Sequence, residues 1–152
     1  AVLMRRDRVA DGEAELQLAL ALSPDQPDVL NYLGYAWIDQ RVRLQEALGM
    51  IQRAVALRPD SAAIVDSLGW AYYRMGDYPR ALDALERAVQ IDPGDATLNE
   101  HLGDVYWRVG RRTEARFQWN HALAQSPDDA DAIRAKLAHG LPAAAVNHPA
   151  RR

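Results

Sequence analysis

Apolar residues recur along this chain at helical spacing. Leu33 and Trp37, Leu68 and Tyr72, and Leu102 and Tyr106 each stand four positions apart, which sets each pair on one face of a helix. A second pattern follows each of these pairs. Ala47 leads to Ile51 and Ala54, Ala81 to Leu85 and Ala88, Ala115 to Trp119 and Ala122. Met75-Gly76-Asp77 and Val109-Gly110-Arg111 separate the two patterns and read as turns, because glycine takes the left-handed cap conformation without penalty. Pro24, Pro59, Pro93 and Pro127 close the units at intervals of 35, 34 and 34 residues. The pattern predicts helices at about 1–6, 8–22, 27–39, 44–57, 62–75, 78–91, 96–109, 112–125 and 130–139, the first a stub.

Gly34, Gly69 and Gly103 interrupt the helices in register, each directly after a leucine. A glycine inside a helix costs about 1 kcal/mol against alanine. Its recurrence therefore implies that two helices approach too closely for a side chain at that slot. Leu-Gly, then an aromatic, then alanines, then proline on a 34-residue period resembles the tetratricopeptide repeat, a helix–turn–helix unit.

The resemblance implies an all-α solenoid of helical hairpins, wound as a right-handed superhelix, in which each hairpin buries its face on the next. Three full units span 27–61, 62–95 and 96–129, the first with one extra residue between its helices. Residues 1–26 read as a partial unit, a truncated first helix plus a second helix with Gly12, Leu16 and Ala19 in the packing slots. Residues 130–139 read as a capping helix with Ile133 and Leu137 inward, and 140–152 as a disordered tail. The start, Ala-Val-Leu-Met-Arg-Arg, has no basic start followed by an apolar run, and it is expected to fall within a repeat.

Composition removes several classes of function. A formal charge of −3 argues against a nucleic-acid partner, and the lack of cysteine removes disulfides and zinc–thiolate sites. No stretch is long and apolar enough for membrane insertion. Lys136 is the sole lysine among the basic residues, a bias that fits a GC-rich bacterial genome. The four histidines form no metal motif, no serine lies in a nucleophile elbow, and no glycine-rich loop is placed to hold phosphate. Glu100, His101 and Asp104 share a helix face, but without a buried orienting shell they read as a groove surface rather than a metal or acid–base site. No cofactor is expected, and the enzyme reading is disfavoured.

The resemblance implies instead a protein-interaction scaffold, part of a larger bacterial protein, whose first helices line a concave groove. The groove positions are Asn31, Tyr35 and Ile38, then Asp66, Trp70 and Tyr73, then Glu100, His101, Asp104 and Trp107, flanked by Arg74 and Arg108. Trp70, Tyr73 and Trp107 are of the type that anchors a peptide, although packing on the next hairpin would use them equally well. Trp37 and Trp119 belong to the core slots. The carboxylates Asp66, Glu100 and Asp104 imply a partner segment with apolar and basic residues. The clamp by which some members hold a terminal carboxylate is absent, since only Asn31 remains of it and Tyr35, Ser67, Thr97 and His101 stand at the other places. Residues 66–76 and 101–111 are similar to C-terminal repeats of proteobacterial envelope proteins and lipoproteins, one group of which scaffolds carboxyl-terminal processing proteases. That favours the periplasm or outer membrane over the cytoplasm. A structural spacer or a self-assembly module, associating through exposed solenoid ends, is the alternative.

Overall fold

In the computed structural model, which describes residues 2–144 and the side chains of residues 12–144, the described residues form eight helices and no strand. They are α1 (Val2–Leu22), α2 (Pro27–Gln40), α3 (Leu44–Leu57), α4 (Ala62–Arg74), α5 (Tyr78–Ile91), α6 (Ala96–Arg108), α7 (Arg112–Ala124) and α8 (Ala130–His139). The helices pair as hairpins α2–α3, α4–α5 and α6–α7, and each hairpin packs on the next, with α8 closing the stack against α7.

The helix ends follow from the local sequence. Ser61 and Asp95 cap α4 and α6, accepting from the amides of Ile64 and Leu98 at 3.4 and 3.1 Å, and Asp77 caps α5 through the Arg80 amide at 3.4 Å. Gly76 and Gly110 have φ of 80° and 85°. That conformation lets the amides of Asp77 and Arg111 return to the carbonyls of Tyr72 and Tyr106, satisfying helix-end acceptors. In the first full hairpin Arg41 takes this left-handed position, at φ 57°, and the Val42 amide returns to Trp37 in the same way. The extra loop residue brings a second left-handed arginine, Arg43, at φ 48°.

Two expectations change. The stub and second helix expected at 1–6 and 8–22 are one continuous helix, α1. Residues 5–8 are Arg-Arg-Asp-Arg, with no proline and no glycine to turn the chain there. The expected disordered tail begins after α8, but residues 140–144 are held, with Leu141 packed against the α7–α8 cluster; residues 145–152 lie outside the described residues.

The core lies between helices as a run of small clusters. Leu33, Trp37, Ala47 and Ile51 fill the first hairpin, Ala81, Leu85 and Leu102 the middle, and Ala115, Trp119, Ala122 and Ile133 the C-terminal end. The in-register glycines sit where the helices of a hairpin touch. A β-carbon on Gly34 would lie 2.8 Å from Ile51 Cγ1, on Gly69 2.6 Å from Leu85 Cγ, and on Gly103 2.5 Å from Trp119 Cδ1. Each of these partners is fully buried and has no room to withdraw.

Gly69→Leu should therefore lower the stability of the fold by about 3 kcal/mol or more, read as the midpoint and slope of urea unfolding. Gly49 provides the contrast, being mid-helix in α3 with nothing within 4 Å of an added β-carbon. Gly49→Ala should raise stability by about 0.5–1 kcal/mol through helix propensity alone. Equal effects at the two positions would refute the close-packing account.

Candidate interaction face

The first helices of successive hairpins, α2, α4 and α6, lie side by side, with α4 touching both others. Their register brings Asn31, Asp66 and Glu100 into one column, Tyr35, Trp70 and Asp104 into a second, and Ile38, Tyr73 and Trp107 into a third. The columns differ in what they leave accessible. Tyr35 is exposed, and Asn31, Trp70, Tyr73, His101, Trp107 and Arg108 are half-buried.

The carboxylates are not free. Asp66, Glu100 and Asp104 are 9%, 7% and 3% exposed. Asp66 Oδ1 lies 2.8 Å from His101 Nδ1, reached across from the next first helix. Lys136 of α8 donates to Glu100 at 2.5 Å and to both oxygens of Asp104 at 3.1 Å, and Trp119 Nε1 donates to Asp104 at 3.0 Å. Each of the three carboxylates thus already has a partner within the chain, where the sequence pattern left it free. Lateral packing of successive first helices turns them inward and supplies the cations from within. Ile38 is also corrected: it is 1% exposed, in the core cluster that includes Ala71 of α4.

The aromatics form a stack along this face. His101 covers one face of Trp70 at 4.0 Å between centroids and Tyr73 stacks on Trp70 at 4.6 Å, with Tyr78 tilted against Tyr73 at 5.5 Å. Both Trp70 and Tyr73 stay half-buried, held by these contacts. Trp107 is more enclosed. It stacks on Trp119 at 5.5 Å, Arg112 and Arg116 lie over its ring at 4.5 and 5.5 Å, and it joins Leu137 and Leu141 in the C-terminal cluster. A β-carbon on Gly140 would fall 2.1 Å from Trp107 Cζ2, so the chain after α8 passes directly against the indole.

Residues that sequence reasoning did not reach complete the face. Lys136 carried a usable signal, as the sole lysine, located in the helix that stacks where a further first helix would. Arg112, Arg116, Tyr78 and Gly140 carried none, because they come to Trp107 and Tyr73 from other segments of the chain. Arg108 donates to Tyr73 Oη at 3.3 Å and to the Pro142 carbonyl at 2.5 Å; Arg74 donates to the Asp39 carbonyl at 3.2 Å. Asn31 Oδ1 and Arg74 Nε are buried without a partner among the described residues.

Burial shapes the ionisation of this region. It pushes Glu100 up from 4.5 to about 7, aided by a hydrogen bond with Asp129 and opposed by Lys136. Burial also raises Asp104, with Lys136 opposing it. Burial alone would lower His101, but the hydrogen bond and charge of Asp66 outweigh it and the net direction is up. In Lys136, burial is likewise outweighed by Asp104 and Glu100, so the ammonium is held. Among the described residues, no three His, Asp or Glu side chains converge to hold a metal ion, and no helix is long and apolar enough to cross a membrane.

A proton held more tightly in the folded than in the unfolded state stabilises the fold below the unfolded pKa, and that stability is lost as pH rises through the folded pKa. For Glu100 the window runs from 4.5 to about 7. At about 1.4 kcal/mol per tenfold change in proton affinity, the loss is at most about 3.5 kcal/mol. Urea unfolding should accordingly show lower stability at about pH 8 than at about pH 5. His101 and Asp104 act in the same direction, so Glu100→Gln should flatten the profile without abolishing its slope. A wild-type profile that rises with pH would contradict the burial of Glu100.

Comparison with known proteins places this geometry. The tetratricopeptide repeat family model matches residues 2–62 and 67–130. Among solved structures, the chain is similar to TTC0263, a thermophilic tetratricopeptide protein of Thermus thermophilus, at a TM-score of 0.74 and 22% identity over 90% of this chain and 75% of that one. It is similar also to MamA, at a TM-score of 0.70 and 25% identity over 81% of this chain and 72% of that one. No curated protein matches the chain in sequence.

Proposed function

This chain belongs to the tetratricopeptide repeat family, and on that premise we propose that it is a protein-interaction scaffold holding a segment of another protein against the face of α2, α4 and α6. The observation that supports this reading is the aromatic column on that face. Tyr35 is exposed, Trp70 and Tyr73 are half-buried beside it, and these two rings are held by stacking. Rigid aromatics bind at little further entropic cost, which is why they dominate hot spots.

The proposed contact set is smaller than the one read from the sequence. Asn31, Tyr35, Trp70, Tyr73 and Arg108 remain as contacts. Asp66, Glu100, His101, Asp104 and Trp107 act beneath them by holding the face together. Self-association is supported by one observation of its own, the exposure of Leu18 and Leu22 on α1, 64% and 81%.

The test is a pull-down with the wild-type chain beside a Tyr35→Ala, Trp70→Ala double variant, read by mass spectrometry, followed by calorimetry on the partner identified. The double variant should weaken binding by about 2 kcal/mol or more, on the order of thirtyfold. Asp104→Asn, made at an internally paired group, should alter thermal stability and leave affinity within about threefold. If affinity survives in the double variant but falls with Arg80→Ala or Arg87→Ala on the second helices, the convex face binds. If Leu18→Ser, Leu22→Ser alone turns a concentration-dependent oligomer into a monomer, the self-assembly reading gains.

A further inference from the structure

The molecule carries a formal charge of −3, yet its arginines are unevenly placed. Two recesses open along the edge where the hairpins turn. One, of about 450 Å³, is lined by Arg41, Tyr73, Arg74, Tyr78 and Arg108. The other, of about 640 Å³, is lined by Trp107, Arg108, Arg112, Arg116 and the chain at 141–144. Both are lined by Arg108, Tyr78 and Ala144, so they adjoin.

Among the described residues, none of Arg41, Arg74, Arg108, Arg112 and Arg116 forms an ion pair. Two neighbouring carboxylates are taken, Asp77 by Arg80 and Glu114 by Arg111, and Asp39 meets Arg74 through its carbonyl. Asp104 is held by Lys136 on the inner side. Arg112 and Arg116 are fixed over the Trp107 ring, an arrangement that occupies the guanidinium face and leaves its N–H edge available. Arg74 Nε is buried and unpartnered. Arg108 already holds a peptide carbonyl, that of Pro142, at 2.5 Å.

We propose that this edge binds an acidic peptide segment, with Arg74, Arg108, Arg112 and Arg116 gripping its carboxylates and backbone. The proposal rests on the reading of the chain as a protein-interaction scaffold and supplies the partner's chemistry. It reverses the charge expected from sequence, because the groove's own carboxylates are neutralised internally while these guanidiniums are not. A fork of N–H donors matches a carboxylate in pairs, which a lysine cannot do. A nucleic acid fits less well. The aromatic rings here are covered by arginine or by one another, so no open face remains to stack a base, and the rest of the molecule repels a polyanion.

The test uses a fluorescein-labelled peptide of alternating Glu and Leu, its Lys–Leu counterpart, and an oligo(dT) of matched charge, by fluorescence anisotropy over a range of salt. The Glu–Leu peptide should bind, the other two should not, and the affinity should fall with salt. Arg112→Gln, Arg116→Gln should weaken it about tenfold or more and reduce the salt dependence. Arg134→Gln, exposed and paired with Asp131, should leave it unchanged. Arg112→Lys, Arg116→Lys should retain part of the affinity, separating lost charge from disturbed packing of Trp107. Indifference of binding to the Gln pair, equal binding of the Lys–Leu peptide, or tighter binding of oligo(dT) would overturn the proposal. If Tyr35→Ala, Trp70→Ala abolishes capture of a partner while the arginine variants bind it normally, the scaffold reading stands and this site fails.

Discussion

Every hairpin in this chain depends on one close approach, that of a glycine on the first helix to a bulky residue on the second. Ile51, Leu85 and Trp119 come so near Gly34, Gly69 and Gly103 that no β-carbon fits between them. Dispersion and apolar burial at these contacts offset the glycine's helix penalty, and the short distance holds the two helices as one unit. The partner changes from isoleucine to leucine to tryptophan along the chain while the glycine stays. In the last hairpin the indole also carries a polar group inward, where its N–H meets Asp104. A buried carboxylate beneath the groove is thus a consequence of the hairpin core.

Between hairpins a second regularity operates. A basic or donor group on each first helix reaches back to an acceptor on the one before: Arg74 to the Asp39 carbonyl, His101 to Asp66, Arg108 to the Tyr73 hydroxyl, and Lys136 of the cap to Glu100 and Asp104. These lateral links set the charge of the concave side. Each engages a carboxylate or another acceptor, so these groups face their neighbours within the stack. The capping helix therefore does more than cover apolar surface. Its lysine supplies the positive charge that offsets the burial of Glu100 and Asp104.

The fold is legible in the sequence because its determinants are local and repeated. Gly76 and Gly110 mark turns by their own backbone freedom, Ser61 and Asp95 mark caps by their side chains, and Leu33, Leu68 and Leu102 mark packing faces by periodicity alone. The turn expected at residues 6–8 lies where the repeat register calls for one but Arg-Arg-Asp-Arg supplies no residue to make it, so α1 runs through. The candidate face is legible only in outline. Its columns fall on α2, α4 and α6 as the periodicity requires, yet the same periodicity puts Asp66, Glu100, Asp104 and Ile38 at the surface, and all four are buried.

Sequence by itself determined the units, their length, their turns, and which residues of each helix meet inside a hairpin, since these follow from contacts within about 34 residues that recur in register. Only the tertiary structure decided which polar groups are free. Whether Asp104 meets a partner or is held by Lys136 depends on a side chain 32 residues away in a helix outside the repeats. Whether Trp107 is an anchor or a packing residue depends on Gly140, Arg112 and Arg116 arriving from elsewhere. Periodicity states which face of a helix a residue occupies. Charge pairing and burial belong to the neighbour packed against that face, and no local pattern specifies it.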